Sequence, residues 1–222
     1  MIDLIGDNYS LLQVMSRFGV SLGVGDKTVK EVCEMNNVDC HTFLVVVNFM
    51  AEGFSRMDGS ADDISIPALV DYLRQAHIYF LDYCLPAIRR KLIEAIDCSQ
   101  DDVSFLILKF FDGYMREVRK HMEYEEKTVF KYVDTLIHGN APKNYQISTF
   151  SKHHDQVGER LTELKNIIIK YCPAKANTNV LNAALFDIYA CEEGLESHCK
   201  VEDYLFVPAI LKLERRMREN EK

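Results

Sequence analysis

The chain of 222 residues is 48% apolar, enough to bury a sizeable core, and its net charge of −8 argues against a broad electrostatic footprint for nucleic acid or anionic lipid. Seven cysteines, odd in number, scattered and without a Cys-x-x-Cys pair, argue against a zinc knuckle or a secreted disulfide framework. No basic stretch precedes an apolar core at the start, and no run of about eighteen apolar residues follows, so a soluble, cytoplasmic protein with no membrane partner is expected.

Residues 1–60 read as a small helical N-terminal domain. Gly19, Gly23 and Gly25-Asp26 punctuate a turn, and Thr28-Val29-Lys30-Glu31-Val32-Cys33 begins a short helix with Asp26 or Thr28 as its cap. The run Thr42–Met50 is apolar enough for a buried strand or helix; its Asp39-Cys40-His41-Thr42 lead-in favours a helix. Four Lys or Arg against eight Asp or Glu make this stretch an unpromising DNA reader. Residues 55–65 have a linker's composition.

Residues 61–222 carry a helical period almost without pause. A first helix opens near Ser65-Ile66-Pro67 and sets Leu69, Leu73, His77, Phe80, Cys84 and Ile88 on one face, with a kink expected at Pro86. A second, capped by Ser99 or Asp101, has the seam Phe105, Leu108, Phe111, Met115, Val118, His121, Glu125, Val129, Tyr132 and Leu136, and ends at Gly139-Asn140. The third carries Ile147, Phe150, His154, Val157, Leu161, Leu164, Ile168 and Tyr171, and the fourth Leu181, Leu185, Ile188, Cys191, Leu195, His198, Glu202 and Leu205. Four amphipathic helices on short loops predict an all-α, antiparallel four-helix bundle.

The chemistry lies on those seams. His121 and Glu125, like His198 and Glu202, stand four residues apart, so on a helix each pair shares one face, offset by about 40° around the axis. His77 and His154 add an imidazole from the other two helices. A lone seam histidine is ordinarily a hydrogen-bonded core residue, and a lone His-x-x-x-Glu a surface pair. Their coincidence on four helices is what points to metal, because burying six such groups costs several kcal/mol each without a partner. Imidazole with carboxylate favours iron, manganese or zinc over calcium or magnesium, and four imidazoles with two carboxylates suit two bridged iron ions. The set is poorer in acids than the Glu-x-x-His pattern of ferritin-like bundles, which leaves positions for a small diatomic ligand. His153 beside His154, Glu126 and Asp203 are candidates for supporting roles, with surface exposure the simpler reading; His41 and His138 are expected in solvent.

His77 followed by Phe80-Leu81-Asp82-Tyr83-Cys84-Leu85-Pro86, His121-x-x-x-Glu125-Glu126, His154-Asp155-x-x-Gly158 and His198-x-x-x-Glu202 with Pro208 resemble the hemerythrin-like di-iron proteins of the repair-of-iron-centres type, over residues 65–212. That resemblance implies a non-haem di-iron centre, oxo- or carboxylate-bridged, with His77, His121, His154 and His198 as terminal ligands and Glu125 and Glu202 as bridges. It further implies nitric oxide or oxygen as ligand, and iron–sulphur proteins as partners in cluster repair under nitrosative or oxidative stress. Residues 18–33 resemble the small module preceding the bundle in that family, but Gly23-Val24 stands where the family has an adjacent Cys-Cys pair. A non-enzymatic oxygen or redox sensor, or an oxygen-binding protein, is the alternative function, and a metal-free interaction bundle is a third.

Overall fold

The computed structural model describes residues 1–52, 63–96, 102–140, 145–152, 159–173 and 176–220, and among them every element is helical. The fold is an all-α bundle, as the periodicity predicts. In chain order the helices are α1 (Ile2–Asp7), α2 (Leu11–Arg17), α3 (Val29–Met35), α4 (Cys40–Glu52), α5 (Ile66–Ile78), α6 (Leu85–Ala95), α7 (Asp102–Tyr124), α8 (Phe130–Ile137), α9 (Glu159–Tyr171), α10 (Thr178–Val201) and α11 (Val207–Asn220). The domain boundary expected after residue 60 falls in 53–62, outside the described residues, as do the expected caps Ser99 and Asp101.

Three of these junctions are not loops. α5 passes into α6, α7 into α8 and α10 into α11 through π-helical turns, Tyr79–Cys84, Glu125–Val129 and Glu202–Phe206. In each, the N–H of the residue after the turn reaches five residues back: Leu85 to the Phe80 carbonyl, Phe130 to that of Glu125, and Val207 to that of Glu202. The disturbance expected at Pro86 thus takes the form of a wide turn inside a continuous helical run. Proline lacks the N–H that an α-helical turn would direct four residues back, and Pro208 follows its π turn at the same offset as Pro86. Such single wide turns recur at functional sites.

Two compact units share the chain. The first comprises Met1–Ala76, Tyr132–Ser148 and Lys200–Lys222. Here the apolar run after Asp39 is helical, and Phe43, Val46 and Val47 are fully buried. Phe18 packs edge-on against Phe43 at 5.3 Å and lies 4.9 Å from Tyr72. Arg17, only 4% exposed, donates to the Tyr72 hydroxyl at 3.2 Å. Gly19, at φ 74°, lets the Val20 N–H turn back to the Met15 carbonyl at 2.9 Å and stop α2, a conformation that favours glycine. Between the two caps proposed for α3 the structure chooses Thr28, which forms a full capping box with Glu31. Near the other end, buried Glu214 accepts from the Tyr132 hydroxyl at 2.7 Å and the Ile147 N–H at 2.9 Å.

The second unit comprises His77–Lys131 and Thr149–Cys199. Its ion pairs close a ring of four helices. Arg89 on α6 holds Asp112 on α7 through two hydrogen bonds, and Glu117 on α7 meets Arg160 on α9. Lys165 on α9 meets Glu192 on α10, and Lys91 on α6 meets Asp187 on α10 at 2.6 Å. Inside the ring lie Leu92, Phe111, Val118, Leu161, Leu164, Ile168 and Ile188, each worth roughly 1.5–3 kcal/mol of burial.

Part of the second seam is corrected. Phe105 is 55% exposed and Leu108 and Met115 are half-buried, whereas Ser104, Ile107 and Tyr114 are buried. The N-terminal half of α7 is apolar over more than one stripe, and the period fits two adjacent faces equally well. The third helix also differs: a 3-10 turn covers Ile147–Lys152, and among the described residues the α-helix covers Glu159–Tyr171.

Candidate metal centre

Glu125 is the residue on which the site turns. It is the first residue of the π turn that follows α7 and is completely buried. Its two carboxylate oxygens face different imidazoles: Oε1 lies 2.8 Å from His121 Nε2 and Oε2 lies 2.9 Å from His77 Nε2. His121 comes from the same helix one turn earlier and His77 from the last turn of α5, so one carboxylate spans two elements.

The other face of His77 is held as well. Its Nδ1 lies 2.9 Å from Glu126 Oε1, and that carboxylate remains 37% exposed. A carboxylate on one ring nitrogen fixes the proton there and turns the other nitrogen toward the interior. Burial pulls the His77 pKa down, but the hydrogen bonds it donates to Glu125 and Glu126 outweigh it and the net shift is upward. Apolar rings complete the surround: Phe130 stacks on His77 at 5.5 Å, and Phe80 meets His198 edge-on at 6.1 Å.

His198 lies on α10 with its ring 5.1 Å from that of His77, and Glu202 follows one turn later on the same helical run. His77, Glu125, His198 and Glu202 are all buried, and each offers a ligand-type atom within 4.8 Å of the others. Of the six residues singled out from the sequence, these four converge and His121 joins them through Glu125. His154, with its neighbour His153, lies outside the described residues. His41 and His138 are exposed.

The donor set fits a cation. Two ligand atoms held at about 2.1 Å from one ion, at right angles, stand about 3 Å apart, close to the His77–Glu125 and His121–Glu125 separations. Two fully buried carboxylates in one apolar setting also call for positive charge. Glu126 was the residue whose part sequence reasoning placed lower; the signal was the doubled acid, Glu125-Glu126, echoed by Glu202-Asp203.

Comparison with known families decides what kind of bundle this is. Residues 68–210 match the Hemerythrin HHE cation binding domain. The chain belongs to the hemerythrin family. All three π turns and all the converging residues of this hemerythrin domain fall inside the matched span. Comparison with curated proteins gave no significant match. Among the described residues, no helix is long and apolar enough to cross a membrane.

Proposed function

We propose that this hemerythrin domain holds two iron ions, with His77, His121, His154 and His198 as terminal ligands and Glu125 and Glu202 shared between the metals, and that the centre binds or reduces nitric oxide or oxygen. The observation that carries the reading is Glu125, whose two buried oxygens each face an imidazole from a different helix. A carboxylate so placed is suited to join two ions rather than cap one. When bound, an iron pair supplies one-electron exchange and an open position for a small ligand. The chain's own part is positional: Glu126 sets the proton on His77 Nδ1, and Phe80 and Phe130 keep the surround apolar.

The finer reading follows the motif resemblance. A protein of the repair-of-iron-centres type would act in the cytoplasm on iron–sulphur proteins whose clusters have been damaged by nitrosative or oxidative stress. Gly23-Val24, standing in place of the family's Cys-Cys pair, favours a second reading in which the centre senses or carries oxygen without repair.

Metal analysis of protein purified without air, with Mössbauer and visible spectra before and after nitric oxide and oxygen, tests the proposal. The expected result is about two irons per chain, magnetically coupled and altered by either gas. A full metal load without a coupled pair would overturn it. Activation of a damaged iron–sulphur enzyme by the loaded protein separates repair from sensing.

A further inference from the structure

The first unit holds a cavity of its own. About 420 Å³ opens between the end of α2, the turn from α3 to α4, and α5, with Arg17, Phe18, Asn37, Asp39, Asp71 and Tyr72 among the bordering residues. That volume lies within the range of small-molecule sites. All the bordering residues belong to Met1–Ala76, and none is a candidate metal ligand. The turn that carries Asp39 is set by the backbone. The Val38 N–H donates to the Cys33 carbonyl at 2.9 Å, and Asn37, at φ 54°, takes the left-handed conformation that asparagine tolerates.

Charge is arranged by depth around this space. Arg17 is buried, and its guanidinium donates to the Tyr72 hydroxyl at 3.2 Å and to the Gln13 side-chain carbonyl at 3.4 Å, with its carbon 5.6 Å from the centre of the Tyr72 ring. Both acceptors are neutral, so these bonds orient the guanidinium without cancelling its charge. Asp39 and Asp71 are exposed at the rim. Asp71 meets Arg74 at 3.8 Å, and that pair is neutral as a whole. Asp39 therefore supplies the rim's net negative charge, and its hydrogen bonds with Thr42 hold its carboxyl below the usual carboxylate value. Phe18 and Tyr72, with ring centres 4.9 Å apart, add an apolar wall between the two signs.

We propose that this cavity binds a free α-amino acid with an apolar side chain, its carboxylate on Arg17, its ammonium toward Asp39 and its side chain against Phe18 and Tyr72. A guanidinium matches a carboxylate with two parallel hydrogen bonds, which a point charge cannot do. One cation set deep and one anion at the rim suit a ligand that carries both signs. The same rim anion works against a second negative charge, and so against phosphate and dicarboxylates. Binding here is separate from the metal centre, since none of the residues that converge there borders the cavity.

The test titrates the full metal-loaded chain with leucine, methionine and phenylalanine by calorimetry, and with leucinamide, N-acetyl-leucine and inorganic phosphate as controls. Saturable binding of at least one of the three amino acids, one per chain, is expected, with all three controls weaker. Arg17→Gln removes the charged hydrogen bonds and should weaken binding by about 10–100-fold. Ala68→Leu, a change at a half-buried position on the cavity wall, should block binding by filling the space while leaving every charge in place. Asp39→Asn keeps a side chain that caps α4 and should weaken the amino acid but not N-acetyl-leucine. If Arg17→Gln fails to fold by circular dichroism, Ala68→Leu and Asp39→Asn still decide. No saturable binding of any of the three amino acids, phosphate binding as tightly as they do, or binding that survives Ala68→Leu would overturn the proposal. The iron reading is untouched by either result, because no metal ligand takes part.

Discussion

At the scale of single residues, the site depends on what lies on each side of one imidazole. His77 sits between Glu125 on Nε2 and Glu126 on Nδ1, both at 2.9 Å. The i, i+4 spacing of His121 and Glu125 was legible because helical geometry alone puts them on one face. Glu126 was not, because its partner lies 49 positions away, on another helix. Replacing Glu126 by Gln keeps the shape and removes the charge that orients His77. Metal affinity is expected to fall roughly 10–100-fold with unchanged helix content, read by competition titration and circular dichroism. Unchanged affinity would reduce Glu126 to a surface acid.

At the scale of elements, an apolar surplus on α7 explains why periodicity located the helix better than its face. Apolar residues fill two adjacent stripes of its N-terminal half, so a stripe followed from Glu125 toward the start of α7 has two candidate continuations. The one through Ser104, Ile107 and Tyr114 is buried, and the one through Phe105 is not. Prolines flag two of the wide turns, at Pro86 and Pro208; Glu125–Val129 has no such flag. Helix starts are more local, and therefore more readable. Asp39 opens α4 by accepting from the Thr42 N–H; a hydrogen bond from the Thr42 side chain first, against some burial and with help from that N–H, holds its carboxyl below the usual value of 3.8. A lowered folded pKa means that the stabilisation is present above the unfolded pKa and is lost as pH falls through the folded one. Asp39→Ala should therefore cost about 1 kcal/mol or less at neutral pH, since the group is exposed and screened. The gap between mutant and parent should close in acid; denaturant melts at pH 7 and pH 3 check this, and a gap independent of pH would remove the carboxylate from the account.

Glu214 is the element-scale counterpart in the interior. It accepts from Tyr132 on α8 and from the Ile147 N–H that opens the 3-10 turn. Glu214→Ala leaves two buried donors without that acceptor, and a loss of roughly 2–4 kcal/mol is expected in equilibrium unfolding. A loss below about 0.5 kcal/mol, the range of ordinary surface changes, would mean that other groups take over both donors.

For the molecule as a whole, metal and stability should be linked. Buried carboxylates and imidazoles bind a cation in the folded chain far better than in the unfolded one, so free metal at about a hundred times its dissociation constant should add about 2.7 kcal/mol. The melting temperature of chelated protein should rise with added ferrous iron under anaerobic conditions, and Glu125→Ala should flatten that response. Identical melting with and without metal would argue for the metal-free bundle.

What the sequence determined by itself is what depends on local period and composition: an all-α chain, the His-x-x-x-Glu pairs on helical faces, and enough motif spacing to resemble the hemerythrin family. Tertiary structure alone decided which of two apolar stripes on α7 faces inward, that Glu126 supports His77, and that three helices widen into π turns. The physical reason is common to all three. Each is fixed by a neighbour or a register that the short-range pattern of apolar and polar residues does not carry, whereas an i, i+4 pair is fixed by the helix that contains it.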